Sequence, residues 1–293
     1  FDNGFVIVGE TFSFGRGQND IYVIKLDSSG NKIWDNSFGG LAQEVGYAIS
    51  KHDDGGYLIV GQTKSYGKGS SDGIILKIDS KGQKEWEKYY GGKGLDYFNS
   101  ILKDDKNNYL LAGSSRSSAE GGSKAWIVNI DTEGYIIWEN TYGNTGENAF
   151  NMIKKIPEAG YIAIGTSSSF FSKGKNDVLM MQVDSMGNKQ WLNYFGGKDN
   201  DFGYAITRSS DSGYAIVGET ASYGSGKNDI WIIKTDRFGM KLWDSYLGGS
   251  GFDSGRSIDQ TVDGGYIISG TSTISNLSFD AILIKTDIEG RYK

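Results

Sequence analysis

A tryptophan that recurs at a near-constant interval predicts an all-β chain, a β-propeller of six four-stranded antiparallel blades. Five near-copies of one segment carry this tryptophan, and "DSSGNKIWDNSFGG" at residues 27–40 is the first of them. The five residues are Trp34, Trp86, Trp138, Trp191 and Trp243. Their spacing of 52 or 53 residues lies in the range of repeat architectures. No segment shows a 3.6-residue apolar period long enough for a helix.

Each repeat of about 52 residues predicts four strands, named A to D below. Strand A carries an Ile 15 residues after the Trp, and strand B begins on an aromatic residue and ends on Gly. Strand C is apolar on both faces, as in "IYVIKLD", and strand D carries the Trp. Between C and D, an Asp followed three residues later by Gly predicts a tight hairpin. Neighbouring blades of a propeller would cover both faces of strand C.

The repeats predict one propeller domain over residues 1–293. Its units run over approximately 1–52, 53–104, 105–156, 157–209, 210–261 and 262–293. These units contain five A, six B, six C and five D strands, so the terminal blades are incomplete in this chain. We expect the parent chain to continue beyond residue 293, or the propeller to be left imperfectly closed.

Composition excludes several classes of function. Thirty basic and 36 acidic residues give a net charge of −6, which argues against a nucleic-acid partner. Cysteine is absent, which excludes disulfides, thiol catalysis and cysteine zinc sites. No apolar run approaches 18 residues, so we expect no membrane insertion by this segment.

Three segments together resemble a known group of repeats. The segments "DGGYLIVGQT", "DIWIIKTD" and "LWDSYLGGSGFDSGRSI" are similar to the tandem β-propeller repeats of secreted and surface proteins of bacteria and archaea, often called SBBP repeats. The resemblance covers the whole chain. It implies a propeller in an extracellular or cell-surface setting, and it implies no established catalytic residues.

Two sets of acidic positions repeat with the blades. One set lies ten residues after each Trp and consists of Glu44, Asp96, Asn148, Asp201 and Asp253. Its repetition favours a structural role in the link from D to A, because catalysis needs one asymmetric pair. The other set precedes strand C and consists of Asp20, Asp72, Asp177, Asp229 and Asp280. We predict no cofactor; calcium at this second set is the alternative, although the loops lack the spacing of an EF-hand.

Three single residues invite a functional interpretation that the sequence does not favour. His52 is the only histidine and lies in the polar turn "KHDDGG", so we expect an exposed turn residue. Trp126 and Trp231 lie in strand C without counterparts in the other units. Packing inside their own blades is favoured over a platform for a ligand.

The candidate ligand-binding residues are those that break the repeat. Thirteen residues after each Trp, on strand A, the series is Tyr47, Asn99, Asn151, Tyr204 and Arg256. The long loop of the fourth unit, "TSSSFFSKGKND", adds Phe170 and Phe171. The links from D to A and the loops from B to C share one end of each blade, where Phe14, Tyr66 and Tyr223 also lie. We predict this end as the binding face.

These observations predict a non-enzymatic extracellular or cell-surface module that acts as a binding platform or as a structural or assembly scaffold. Its expected partners are a protein or glycan at the cell surface, or copies of itself. The alternative is a glycan-cleaving hydrolase or lyase with its active site at the propeller channel. For that alternative the sequence offers only Arg256 with Asp253 and Tyr204 as a cluster.

Overall fold

A computed structural model of the chain describes residues 3–117, 121–157, 159–169, 174–275 and 278–292. The described residues form 22 β-strands joined by turns and loops. No described segment is a helix that could cross a lipid bilayer. The strands fall into two compact units, residues 1–142 and residues 143–293.

The first unit contains three antiparallel sheets in chain order. Sheet 1 consists of β1 (Phe5–Thr11), β2 (Asp20–Leu26) and β3 (Lys32–Phe38). Sheet 2 consists of β4 (Glu44–Lys51), β5 (Tyr57–Thr63), β6 (Asp72–Ile78) and β7 (Lys84–Tyr90). Sheet 3 consists of β8 (Asp96–Lys103), β9 (Tyr109–Ser115), β10 (Lys124–Ile130) and β11 (Ile136–Tyr142).

The second unit also contains three antiparallel sheets. Sheet 4 consists of β12 (Asn148–Ile156), β13 (Gly160–Ser167), β14 (Asp177–Val183) and β15 (Lys189–Phe195). Sheet 5 consists of β16 (Asp201–Arg208), β17 (Tyr214–Thr220), β18 (Asp229–Thr235) and β19 (Lys241–Leu247). Sheet 6 consists of β20 (Asp253–Gln260), β21 (Tyr266–Ser275) and β22 (Ser278–Lys285).

The strand order confirms the predicted blade. Sheets 2 to 5 are four-stranded meanders in the order A, B, C, D. Sheet 1 contains strands B, C and D, and sheet 6 contains strands A, B and C, which confirms that the terminal blades are incomplete. Among the described strands, sheet 1 has no strand A, and its strand B exposes Phe5 and Ile7. Sheet 6 has no strand D in the described part of the chain, and its strand C exposes Phe279 and Leu283.

The cores lie between consecutive sheets of each unit. Strand C is buried along its whole length in β6 and β18, as expected for a strand covered on both faces. Between sheets 2 and 3, for example, Val60 and Ile75 pack with Phe98 and Tyr109. Apolar burial of this kind is the main stabilising contribution to a sheet that has two apolar faces.

The repeated Trp contacts the hairpin turn of the next sheet. A Cβ placed on Gly82 would lie 2.9 Å from the ring of Trp34, and Asn36 Nδ2 donates to the Gly82 carbonyl at 3.1 Å. The same contact joins Trp86 to Gly134 and Trp191 to Gly239. The Trp of sheets 1, 2 and 4 therefore fills a gap against the turn of the next sheet. The Trp side chains are half-buried rather than enclosed, because the turn covers only one part of the indole.

The C-to-D hairpin has the predicted turn chemistry. The Asp27 carboxylate accepts hydrogen bonds from the Ser29 and Asn31 amides, both at 2.8 Å, and Gly30 adopts a φ of +84°. Asp79 repeats these bonds in sheet 2. Local side-chain acceptors and a left-handed glycine fix such turns without help from the core.

A buried lysine ties the A-to-B turn to strand C at the same end of sheet 2. Lys77 Nζ lies 2.7 Å from Asp54 Oδ2 and 2.6 Å from Glu85 Oε2, and its side chain is almost fully buried. Lys234 pairs with Asp211 in the same way in sheet 5. The A-to-B and C-to-D turns at this end of the sheets are therefore both held by specific polar contacts.

Candidate binding site

The five predicted residues on strand A all lie at β-bulges. In each strand the register against strand B skips one residue, which leaves that residue outside the ladder. The skipped residues are Tyr47, Asn99, Asn151, Tyr204 and Arg256. A bulge kinks its strand and re-aims the side chain of the extra residue, and bulges are common beside functional sites. Because the side chain of the bulged residue lies outside the ladder, its type can differ from sheet to sheet.

In the first unit these residues are Tyr47 and Asn99. Tyr47 lies on β4 with 44% of its surface exposed, and Asn99 is half-buried on β8. Both residues are at equivalent positions of adjacent sheets.

In the second unit the bulged residues contact the neighbouring sheet. Asn151 Nδ2 donates to the Gly203 carbonyl at 2.7 Å, directly before Tyr204 in β16. The guanidinium carbon of Arg256 lies 4.0 Å from the centre of the Tyr204 ring. Structure thus brings Asn151, Tyr204 and Arg256 into one series across sheets 4, 5 and 6.

Arg256, Tyr204 and Glu219 form a compact polar group. Arg256 Nη2 lies 3.8 Å from Glu219 Oε2, and the Arg256 side chain is 52% exposed. Burial raises the pKa of Tyr204 to about 12, and the nearby Glu219 carboxylate adds to this effect while Arg256 opposes it. The tyrosine therefore stays a neutral hydrogen-bonding phenol throughout the physiological pH range.

A pocket of about 240 Å³ adjoins this group. Its walls include Arg256, Glu219 and Asn228 together with the exposed rings of Phe252 and Phe279. Asn228 Nδ2 donates to Glu219 Oε1 at 3.3 Å, which orients the carboxylate. The arrangement offers a cation, an anion and two apolar rings within one small area.

The acids ten residues after the Trp have structural roles, as predicted. Glu44 is fully buried and accepts hydrogen bonds from the Gly40 amide at 2.6 Å, the Thr63 hydroxyl at 2.9 Å and the Ser65 amide at 3.0 Å. The bonds connect the D-to-A link with the end of strand B. Equivalent bonds are made by Asp96, Asp201, Asp253 and, through its side-chain oxygen, Asn148.

The acids before strand C hold the B-to-C loops. Asp72 Oδ2 accepts from the Lys68 and Gly69 amides at 2.9 and 2.8 Å, and Asp20 and Asp229 accept from equivalent amides. Asp177 is buried, whereas Asp280 is exposed in sheet 6. Within the described ranges, no three Asp, Glu or His side chains converge as a metal centre would require.

The cluster proposed for an enzyme is only partly assembled. Tyr204 and Arg256 are in contact, and Asp253 borders the same pocket. The Asp253 carboxylate, however, accepts hydrogen bonds from the Gly249 amide and the Ser272 hydroxyl, which gives both of its oxygens a structural partner. Both oxygens are thus engaged in the same link contacts that the equivalent acids make.

The loop aromatics predicted for the binding face pack on their own sheets. Phe14 stacks on Tyr22 with ring centres 5.9 Å apart, and Tyr66 stacks on Tyr89 at 5.4 Å. All four rings retain some contact with solvent. Phe170 and Phe171 lie outside the described residues.

Isolated bridges place the two loop sets at one end of the sheets. Asn19, at the end of a B-to-C loop, pairs with Gln43 in the next D-to-A link, and Ser71 pairs with Leu95 in the same way. The short turns that carry Asp27 and Asp54 lie at the opposite ends of their strands.

His52 differs from the sequence expectation. It lies in the predicted turn, but its side chain is only 12% exposed. The imidazole stacks on Tyr109 of sheet 3 with ring centres 5.9 Å apart, and Nδ1 lies 3.0 Å from Asp54 Oδ1. The expectation of an exposed residue was wrong because the turn folds over an aromatic residue of the adjacent sheet.

A larger pocket, of about 630 Å³, lies in the first unit and was not anticipated. Trp126, Glu139 and Thr141 of sheet 3 form part of its wall, with Tyr89 and Gly92 before them in the chain. The signal in the sequence is a loss of aromatic residues: Thr141 lies three residues after Trp138, where sheets 2, 4 and 5 have Tyr. Trp126 and Trp231 are both buried, which agrees with packing inside their blades.

Comparisons with solved structures identify the fold. The WD40 domain of Neurospora crassa Pan2 matches with a TM-score of 0.54 and 9% identity, over 92% of this chain and 75% of that chain. The chain has the fold of a six-bladed β-propeller. PorZ, a surface component of the type-IX secretion system of Porphyromonas gingivalis, matches with a TM-score of 0.55 and 10% identity, over 97% of this chain and 39% of that chain.

Two further proteins are similar to the chain. BBS1N, solved in complex with ARL6DN, matches with a TM-score of 0.50 and 10% identity, over 97% of this chain and 88% of that chain. The regulatory protein FlaEY of Caulobacter vibrioides is 21% identical over a match that covers 41% of this chain and 15% of that protein. No family model matches the chain. At these identities the structural likenesses establish the propeller fold alone.

Proposed function

We propose that this propeller is a non-enzymatic extracellular or cell-surface module that binds a protein partner and serves as a platform or scaffold. The observation that carries the proposal is the Arg256, Tyr204 and Glu219 group. It breaks the repeat at a bulged position and leaves the guanidinium half-exposed beside a pocket. The repeated acids of the D-to-A links, by contrast, accept hydrogen bonds from amides of the fold itself.

The chemistry of this group suits a protein surface. Arg and Tyr are enriched at the energetic centres of protein interfaces, and Phe252 and Phe279 supply exposed apolar area beside them. The guanidinium has five N–H donors and is half-exposed, so a carboxylate or carbonyl of a partner could accept from the donors that do not face Glu219 and Tyr204. A glycan, or a second copy of this chain, would use the same donors and rings.

Two structural neighbours support the binding role and the location. BBS1N was solved in complex with ARL6DN, and PorZ is a bacterial surface component of the type-IX secretion system. The resemblance to SBBP-type repeats also implies secretion or surface display. Together these likenesses favour a surface module that recognises another macromolecule.

The hydrogen bonds of the acids support a role without catalysis. General acid and base chemistry needs carboxylates that face the substrate and differ in environment. Glu44, Asp96, Asp201 and Asp253 instead repeat one set of bonds to link amides and strand B hydroxyls. Their equivalence favours folding over catalysis.

The test compares Arg256→Ala with a matched control, Arg208→Ala, an exposed arginine near the other end of the neighbouring A strand. Each purified variant would be cross-linked to the surface fraction of the source cells, and captured proteins quantified by mass spectrometry. A glycan array forms a second arm. We expect one set of proteins to be lost with Arg256→Ala and retained with Arg208→Ala.

Other outcomes would contradict the proposal. Dependence on Arg256 seen only on the glycan array would make the partner a glycan. If neither arm distinguishes the two variants, the Arg256 group is not a binding site. Protection of the native protein from protease added to intact cells would contradict a surface location.

A further inference from the structure

The pocket of sheet 3 can be compared with the equivalent positions of the other complete sheets. In every complete sheet, a residue near the start of strand C pairs directly with the residue three after the Trp of strand D. The pairs are Ile74 with Tyr89, Trp126 with Thr141, Leu179 with Tyr194 and Trp231 with Tyr246. Directly opposed residues on one face of a sheet are in side-chain contact. Among these four sheets, only sheet 3 has a small residue, Thr141, as the strand D member of the pair.

Sheet 5 shows how this position is filled when aromatic residues are present. The ring of Tyr223, from the B-to-C loop, lies 5.5 Å from Trp231 and 5.4 Å from Tyr246. The Tyr223 hydroxyl donates to the Gly196 carbonyl at 2.9 Å. Asp244 accepts both the Trp231 Nε1 hydrogen bond at 3.2 Å and the Tyr246 hydroxyl at 2.9 Å. Two tyrosines thus pack beside one tryptophan and one carboxylate.

Sheet 2 repeats this arrangement with a different strand C residue. Tyr66 stacks on Tyr89 and lies against the D-to-A link, since a Cβ on Gly40 would be 3.0 Å from its ring. In sheet 5 the equivalent Gly197 has the same relation to Tyr223. A loop tyrosine against the second glycine of the link is therefore a recurring contact of this chain.

Sheet 3 keeps the tryptophan and the carboxylate but lacks both tyrosines. Thr141 stands where Tyr89 and Tyr246 stand, and the sequence has Ser118 where it has Tyr66 and Tyr223. Trp126 Nε1 donates to Glu139 Oε2 at 3.2 Å, as Trp231 donates to Asp244. The pocket of about 630 Å³ lies at this place, bordered by Gly91 and Gly92 of the link. Its volume is within the usual range of ligand pockets.

We propose that this pocket binds a tyrosine side chain presented by a partner polypeptide. The phenol ring would lie against Gly92 and Thr141, at the edge of Trp126 that borders the pocket, as Tyr223 lies against Gly197. Its hydroxyl would donate to Glu139, as Tyr246 donates to Asp244. The occupant follows from sheets 2 and 5, which hold tyrosines of their own in the corresponding space. The site lies in the first unit and is independent of the Arg256 group, so either can fail without the other.

The first experiment uses N-acetyl-L-tyrosinamide as the probe and follows the tryptophan indole signals of the 15N-labelled protein by NMR. The signal of Trp126 is assigned by its loss in Trp126→Ile, which introduces the residue type of sheet 2. We expect a saturable shift of this signal, with a dissociation constant on the order of 1 mM for so small a ligand. No saturable shift up to the solubility limit would overturn the proposal.

Variants separate the pocket from the rest of the surface. Thr141→Tyr restores the repeat and should fill the site, so binding should be lost while the melting temperature is maintained. Ser37→Tyr makes a similar change at the equivalent position of sheet 1 and should bind as the wild type does. Equal binding by both variants would contradict the assignment of the site.

A third comparison tests the hydroxyl contact. Glu139→Gln should weaken the binding of the tyrosine probe about tenfold, because a neutral amide oxygen accepts a weaker hydrogen bond than a carboxylate, and should leave the binding of N-acetyl-L-phenylalaninamide unchanged. Methyl β-D-glucopyranoside serves as the sugar probe. Binding of the sugar in preference to the tyrosine probe would overturn the proposal in favour of a glycan site.

Discussion

The carboxylate of Glu44 shows how one buried residue stabilises two chain segments. It accepts hydrogen bonds from the Gly40 amide in the link and from the Thr63 hydroxyl and Ser65 amide at the end of strand B. Glu44 and Thr63 are fully buried, so water cannot replace this acceptor easily. Removing the acceptor would leave these donors unsatisfied, which costs more than the bond itself contributes.

We therefore expect Glu44→Ala to lower the free energy of unfolding by about 3 kcal/mol. Glu133→Ala, which removes an exposed carboxylate from a hairpin turn, should change it by less than about 0.5 kcal/mol. Urea denaturation followed by circular dichroism measures both. Equal midpoints for the two variants would show that the link does not depend on this acid.

Two charged neighbours also affect the pKa of Tyr204 in the candidate site. Glu219 raises the pKa of Tyr204, and Arg256 lowers it. We expect Glu219→Gln to lower the Tyr204 pKa from about 12 and Arg256→Ala to raise it. Tyrosine 13Cζ shifts recorded across an alkaline titration would show the two directions. A shift in the same direction for both variants would contradict the proposed grouping.

At the scale of the element, the glycine of the C-to-D hairpin has two separate roles, one in the turn conformation and one in packing against the Trp. Gly30 and Gly82 both have positive φ, at +84° and +79°. A Cβ on Gly30 would meet no heavy atom within 4 Å, whereas one on Gly82 would lie 2.9 Å from the Trp34 ring. The first glycine serves the turn alone, and the second serves the turn and the packing of adjacent sheets.

This pair allows a matched experiment. Gly30→Ala should destabilise the protein by about 1 kcal/mol through backbone strain. Gly82→Ala should cost at least about 1 kcal/mol more, because the indole must shift to admit the methyl group. Thermal and urea denaturation of both variants provide the comparison, and identical losses would show that the Trp contact contributes nothing.

The A-to-B turn of sheet 2 gives the protein a predictable response to acid. Burial acts to raise the pKa of Asp54, but hydrogen bonds from Lys77, the Gly56 amide and His52 outweigh it, and the pKa falls to about 2. A depressed folded pKa contributes stability above the unfolded value of about 4. That contribution disappears as pH falls from about 4 through 2.

Lys77→Met should flatten this part of the stability profile. Lys84→Met, which removes one partner of the exposed pair with Glu87, is the control and should leave the profile as in the wild type. Urea denaturation at several pH values between 5 and 2 tests both. An unchanged slope in Lys77→Met would mean that the lysine does not hold the Asp54 pKa.

At the scale of the whole molecule, the terminal sheets carry exposed apolar edges. In sheet 6, β22 pairs only with β21 among the described strands, and Phe279 and Leu283 are 67% and 71% exposed. Edges of this kind promote pairing between chains. We expect concentration-dependent association of this chain by sedimentation velocity, and less of it in Leu283→Lys. Val262→Lys, in an exposed turn, should associate as the wild type does.

The repeat made most of the fold predictable. Trp spacing, the Asp and Gly of the hairpin and the apolar strand C depend on local chemistry, and the structure confirms all three. The bulge at Tyr204 was not predictable as a bulge, because it depends on the register between strands A and B. His52 was misjudged for a related reason, since Tyr109 is 57 residues away in the chain.

The pocket of sheet 3 needed both kinds of information. Thr141 is visible as a departure from the repeat, but its pairing with Trp126 exists only in the folded sheet. The Arg256 group was identified from sequence as a set of departures, and the structure added Glu219, which lies 37 positions before Arg256. The sequence alone does not show which of the residues that differ from the repeat are in contact in the folded chain.

The contact between Trp34 and Gly82 also affects how the protein is made. Gly82 follows Trp34 by 48 positions, and synthesis at about 5–20 residues per second separates their appearance by about 2–10 s. During that interval the first sheet presents an uncovered indole to the cytosolic or translocation machinery. A similar delay separates Trp86 from Gly134, Trp191 from Gly239 and Trp243 from Gly290, so each of these indoles is open to a chaperone before its turn is made.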